Sequence, residues 1–84
     1  MEWISFFDRQ PEHKQEIFYY GEHIGVWYGR YEYRPDDPVS HHVMICGQSP
    51  GICDRMDAPW WMPHEEGMWK PEKPSKPYPD DYPQ

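Results

Sequence analysis

The sequence predicts one small, mainly β domain, a single compact antiparallel sheet of about three to five strands, followed by a proline-rich C-terminal tail. Three observations carry this expectation. Phe, Trp and Tyr make up 18% of the chain and gather in short runs such as Ile17-Phe18-Tyr19-Tyr20. Such residues suit a pleated, half-buried surface. The runs are separated by Gly, Pro and Asp, the residues of turns. After Gly67 the composition changes to a Lys-Pro repeat. A small α+β variant, with a short helical turn near Ser5–Gln10, stays open on the same reading.

Taken in order, Trp3 to Phe7 is short and apolar, and Ser5-x-x-Asp8 suits a turn whose side-chain oxygen accepts from a following backbone N–H. Pro11 ends that segment. Gln15 to Tyr20 reads as the first firm strand, and Gly21-Glu22 as a tight turn. His23 to Arg34 reads as the second strand, closing a hairpin over 17–34. Along it, one face begins apolar and becomes charged while the other becomes aromatic, because side chains alternate with period two. A bend or bulge near Gly29 would exchange the buried face midway. Arg34-Pro35-Asp36-Asp37-Pro38 breaks the chain. Val39 to Cys46 reads as a third strand and Gly47–Gly51 as a turn. Ile52 to Asp57 is ambiguous, and Ala58 to Met62 suits a closing strand. In the tail, Lys70-Pro71, Lys73-Pro74 and Lys76-Pro77 recur with period three, matching polyproline II and placing the lysines along one edge. The expected division is therefore a β-rich domain over residues 1–69 and a tail over 70–84.

A unit of that length buries only about 60% of its unfolded surface and is marginal without reinforcement. The hydrophobic fraction of 37% and mean hydropathy of −1.11 understate its resources. Each aromatic ring buries roughly 150–250 Å², so few residues can close a small core. Self-association or partner binding is an expected further source of stability. The net charge of −7 disfavours nucleic acid and anionic membrane, which reward clustered Lys and Arg. Mimicry of DNA is disfavoured too, since the carboxylates alternate with bases and aromatics. The opening Met1-Glu2-Trp3 has no basic leader and no apolar run approaches 18 residues, so a reducing cytoplasm is the expected compartment.

Trp3-Ile4-Ser5, followed by Asp8-Arg9-Gln10-Pro11-Glu12, Glu16-Ile17-Phe18-Tyr19-Tyr20, Gly25-Val26-Trp27-Tyr28 and a closing Trp61-Met62-Pro63, resembles the domain of unknown function 551 family. These short phage and prophage proteins open on Trp-Ile-Ser, continue through Asp-x-Leu-Pro and end on Thr-His-Trp-Met-Pro. The resemblance covers residues 3–34 and 58–63. Gln10 departs from the family's Leu, and Pro59-Trp60 depart from Thr-His, so no role of that terminal His carries over. Residues 35–57 are longer and richer in Cys and His. The resemblance implies a phage setting, hence the host cytoplasm or, alternatively, the virion, and it implies no activity.

His41, His42, Cys46, Cys53 and His64 form the sharpest metal candidate, since thiolate and imidazole suit a structural zinc. Six residues separate Cys46 from Cys53, however, where familiar fingers use two to four, and adjacent strand residues His41 and His42 should face opposite ways. Buried thiols, or a disulfide across the Gly47–Gly51 turn, are the competing readings. Catalysis by either cysteine would need a positioned His and an oxyanion site. Paired carboxylates fall in turns or the tail, and no phosphate loop or hydrolase elbow is present, so no enzyme is expected. The aromatic set is larger than one tiny core should hide. Trp27, Tyr31, Tyr33, Trp60, Trp61 and Trp69 are therefore the candidate contacts for a protein partner, Trp and Tyr being enriched at binding hot spots. The leading expectation is a non-enzymatic phage accessory protein that binds and modulates a host or phage protein. The alternatives are a minor virion or capsid-associated structural protein whose tail wraps a neighbour, and a zinc-stabilised binding domain.

Overall fold

The β-branched and aromatic run of residues 16–21 forms β2 (Glu16–Gly21), which turns directly into β3 (Gly25–Tyr33). Their register is unbroken from Glu16↔Arg30 to Gly21↔Gly25. The turn closes through Ile24 N–H donating to the Gly21 carbonyl at 3.2 Å, and Gly25 takes φ +80°, a conformation that disfavours a Cβ. The computed structural model describes residues 2–46 and 52–83, and among these every regular element is a strand. The remaining strands are β1 (Ile4–Ser5), β4 (His42–Cys46), β5 (Ile52–Asp54) and β6 (Trp60–Pro63). All pairings are antiparallel, and the sheet runs β1-β6-β2-β3-β4-β5.

Six strands exceed the three to five expected, and the reason is length. Ile4–Ser5 and Ile52–Asp54 are too short to show alternation, and each is defined only by the neighbour it pairs with. The segment after β1 is a turn capped as its sequence suggests, not a helix. Ser5 Oγ accepts from Phe7 N–H at 3.1 Å, and the Ser5 carbonyl accepts from Arg9 N–H at 3.0 Å. β4 starts at His42 rather than Val39, because the Asp37 carboxylate accepts from Val39 N–H at 2.8 Å and Ser40 N–H at 3.1 Å, holding that stretch as a turn. Both N–H groups also keep the Asp37 pKa below its ordinary value. The turn expected at Gly47–Gly51 lies outside the described residues.

No bulge forms at Gly29, whose pairing with Ile17 and Cys46 is regular. Its glycine is needed for close approach instead: a Cβ there would strike the Ile45 carbonyl oxygen and lie 3.0 Å from Cys46 Cα. The irregularity sits before β2. Lys14 N–H donates to the Tyr31 carbonyl at 2.7 Å while Tyr31 N–H donates to the Gln15 carbonyl at 2.9 Å, so two residues oppose one as in a β-bulge. Lys14 takes φ 68° to do so.

Register sorts the side chains into two faces. Ile17, Tyr19, Gly29, Tyr31, Met44, Cys46, Cys53, Ile4 and Trp61 share one of them. This is the main core, covered by Phe6 and Ala58 from the flanking loops. The Phe6 ring centroid lies 5.9 Å from Tyr31 and 6.1 Å from Trp61, so residues near both ends of the chain meet over the middle of the sheet. The opposite face carries Phe18, Tyr20, Tyr28, Arg30, Val43, Ile45, Ile52, Trp60 and Met62. Part of it lies under the tail: Trp60 Nε1 donates to the Lys76 carbonyl at 3.0 Å, and Trp3 Nε1 to the Glu72 carbonyl at 2.8 Å. The chain end then reaches the β1 side, where Ser5 Oγ donates to Asp81 and the Tyr82 hydroxyl donates to the Met56 carbonyl.

Candidate functional site

The six aromatic candidates do not share one surface. Tyr31 is fully buried and Trp61 is 3% exposed, so both belong to the core and are closed to a partner. Tyr31 stands in a charged, aromatic stretch of sequence, but it sits on the face that Phe6 covers. Trp61 fixes the first loop through Nε1 donating to the Arg9 carbonyl at 2.7 Å. Trp60 is half-buried beneath the tail. Trp27 is 43% exposed, Tyr33 41% and Trp69 91%. Trp27 and Tyr33 occupy opposite ends of β3 on the core side of the sheet.

A more continuous surface lies on the other side. There Arg30 pairs with Glu16 on β2 and Ile45 on β4, and Ile45 with Ile52 on β5, giving a row across four strands. Ile52 is 63% exposed and the Arg30 side chain 52%. Next to this row, Tyr28 packs against His64 in a tilted pair with ring centroids 4.3 Å apart, and both contact Phe18. Desolvation and the neighbouring Glu16 carboxylate push the Tyr28 pKa up. Arg30 is oriented by Glu32, which Arg34 holds from the other side, both at 3.0 Å. Those two guanidinium groups keep the Glu32 carboxyl below its ordinary pKa, Arg34 contributing most. Arg30, Ile45 and Ile52 were not singled out by sequence reasoning, and Tyr28, though part of the large aromatic set, was not among the six candidate contacts. The signal that could have found them is alternation: Tyr28 and Arg30 are even positions of a strand whose odd positions 29 and 31 are buried.

The metal candidates are dispersed. Cys46 and Cys53 lie on the core face of the sheet, Cys53 as a thiol. His64 packs on the far face against Tyr28. Among the described residues no three His, Cys, Asp or Glu side chains come together as a metal site. Burial pushes the Cys53 thiol up to about 12, aided by Asp57 and Asp54. At neutral pH the thiol form therefore dominates, which disfavours Cys53 as a nucleophile. Burial likewise raises the Tyr19 phenol, whose hydroxyl lies against both cysteines.

One polar cluster remains. Pro38–His42 and Asp54–Met56 border a shallow cleft of about 350 Å³. On its floor the Tyr31 hydroxyl and His42 Nδ1 are hydrogen-bonded at 2.6 Å. Burial lowers the His42 pKa, with Arg55 and His41 adding to the effect, and burial raises Tyr31 to about 12. Both groups are therefore neutral near pH 7, and their bond satisfies two partly buried polar atoms. Ser40 and Asp54 also line the cleft, but the Ser40 hydroxyl donates to the His42 carbonyl at 3.2 Å. A further histidine that the sequence did not single out, His13, accepts from Tyr33 N–H through Nδ1 at 3.0 Å and caps the end of β3.

Compared with protein-family models, with curated proteins and with solved structures, the chain matches none. The likeness of its two ends to the phage family rests on the quoted motifs alone.

Proposed function

We propose that this is a non-enzymatic accessory protein that binds a partner protein through the uncovered face of β3. The observation that carries the reading is that a central strand, with two strands on one side and three on the other, leaves Tyr28 44% exposed beside a half-exposed Arg30. An antiparallel sheet commonly turns one face to water, where polar residues suffice, yet this face presents a Tyr ring beside an Arg. Tyr28, packed against Phe18 and His64, and Arg30, with Ile45 and Ile52 beyond it, have the composition of a binding hot spot. The phage setting implied by the terminal motifs makes the host cytoplasm the place of action and a host or phage protein the partner. The alternative of a virion component whose tail wraps a neighbour is less well supported, because the tail's hydrogen bonds run to its own sheet.

Affinity capture from host lysate tests the reading with three baits: the unaltered chain, Trp69→Ala, and the double variant Tyr28→Ala, Arg30→Ala. A protein held by the first two and lost with the third supports it. Equal retention by all three, with unchanged circular dichroism, refutes it.

A further inference from the structure

We infer that Trp3 and Trp60 form a recognition groove for polyproline II segments, one that the chain's own tail occupies and that a lysine–proline-rich segment of a partner protein can take in its place. This groove is separate from the β3 surface. Two indoles donate to main-chain carbonyls four residues apart, Trp3 to Glu72 and Trp60 to Lys76. A polyproline II strand has no internal hydrogen bonds, so its carbonyls are free to accept, and aromatic-lined grooves recognise it in this way. Along the tail Pro71 and Pro74 are half-buried, while Glu72, Lys73, Ser75, Lys76 and Pro77 are exposed and the chain bends over residues 75–78. The first two prolines therefore face the sheet and the lysines face solvent.

Trp3, Trp60 and Met62 form with the tail an open cleft of about 570 Å³. Buried Tyr20 packs behind Trp3, with ring centroids 6.2 Å apart. Charge selects the ligand class. Residues 1–69 hold five of the eight basic and twelve of the fifteen acidic residues, so they carry the whole net charge of −7, whereas residues 70–84 are neutral. A proline segment richer in Lys than this tail, which includes Glu72, Asp80 and Asp81, is drawn to that body more strongly. The tail in turn sets the threshold, because a tethered ligand competes at an effective concentration near millimolar.

The test uses the full chain carrying Pro71→Ala and Pro74→Ala, which removes the resident ligand without touching the sheet. The probe is a synthetic peptide with the unaltered sequence of residues 70–78, and the readout is the indole N–H signals of Trp3 and Trp60 in ¹⁵N-labelled protein. The substitutions should move both signals, and the peptide should return them toward their original positions with an affinity at least tenfold above that for the unaltered chain. A peptide with alanine at positions 71 and 74 should leave them unmoved. Indoles that ignore the substitutions, or that fail to respond to the peptide afterwards, overturn the inference. So does an unaltered chain whose indole signals shift with its own concentration as it dimerises, since the groove would then belong to a second copy's tail.

Discussion

Replacing Gly29 by Ala gives the sharpest test of the sheet's interior. An added Cβ would overlap the Ile45 carbonyl oxygen and approach Ile45 C at 2.9 Å and Cys46 Cα at 3.0 Å. Every one of these is backbone, so no rotamer change relieves the contact and β4 has to move away from β3. That shift loosens the Tyr31↔Met44 pair beneath Phe6, where both side chains are fully buried. Overpacking of a core costs about 1–3 kcal/mol and more where main chain must shift, so we expect ~2–4 kcal/mol here. For a domain of this size that corresponds to roughly 10–25 °C in Tm. Gly25→Ala serves as the comparison: nothing lies within 4 Å of its Cβ, but φ is +80°, and the left-handed backbone alone costs about 1–2 kcal/mol. Urea unfolding followed by tryptophan fluorescence reads both. A Gly29→Ala chain within ~0.5 kcal/mol of the unaltered protein, or more stable than Gly25→Ala, refutes the close approach of β3 and β4.

Other outcomes follow from burial and charge. Trp61→Ala should cost about 3–5 kcal/mol in the same urea assay, because a buried ring and its bond to Arg9 are lost, while Trp69→Ala should change stability by less than ~0.5 kcal/mol. Stability should fall on both sides of neutrality. His42 has a folded pKa below its ordinary 6.5, so on acidification the unfolded chain takes up the proton first, and stability declines from about pH 6.5 downward. Cys53 rises from 9.0 to about 12 and Tyr31 from 10.0 to about 12, so on the alkaline side the unfolded chain loses protons first and stability declines above about pH 9. Urea midpoints across pH 5 to 11 check this, and His42→Gln should flatten the limb between pH 7 and 5. The Cys53 thiol should react slowly with a disulfide reagent at pH 8 and quickly once urea unfolds the chain. Lys14→Gly should stabilise by about 0.5–1 kcal/mol, since φ 68° strains a side-chain-bearing residue.

The hairpin, the closing strand and the break after Arg34 were legible in the sequence because each combines a run of β-forming residues with Gly, Pro or Asp at its end. What escaped was set by distant partners. Ile4–Ser5 becomes a strand only because Trp60–Trp61 lies beside it, some fifty-six residues later in the chain. The bulge fell at Lys14–Gln15, where a lysine gives no cue for positive φ, whereas the glycine that invited a bulge serves backbone contact. In the candidate site, residue type drew attention to every Trp and Tyr alike, yet exposure depends on face. Tyr28 and Tyr31, three positions apart on one strand, point to opposite sides, one half-open and the other sealed beneath Phe6. The tail's period of three was readable, but its docking site combines Trp3 with Trp60, a pairing that only the β1–β6 contact creates.

Ring-to-ring proton contacts in a nuclear Overhauser spectrum examine most directly whether residues from both ends of the polypeptide close one core. Cross-peaks from Phe6 to both Tyr31 and Trp61 are expected, at centroid separations of 5.9 and 6.1 Å. Their absence from a spectrum that does contain the hairpin contact between Phe18 and Tyr28 would contradict the account.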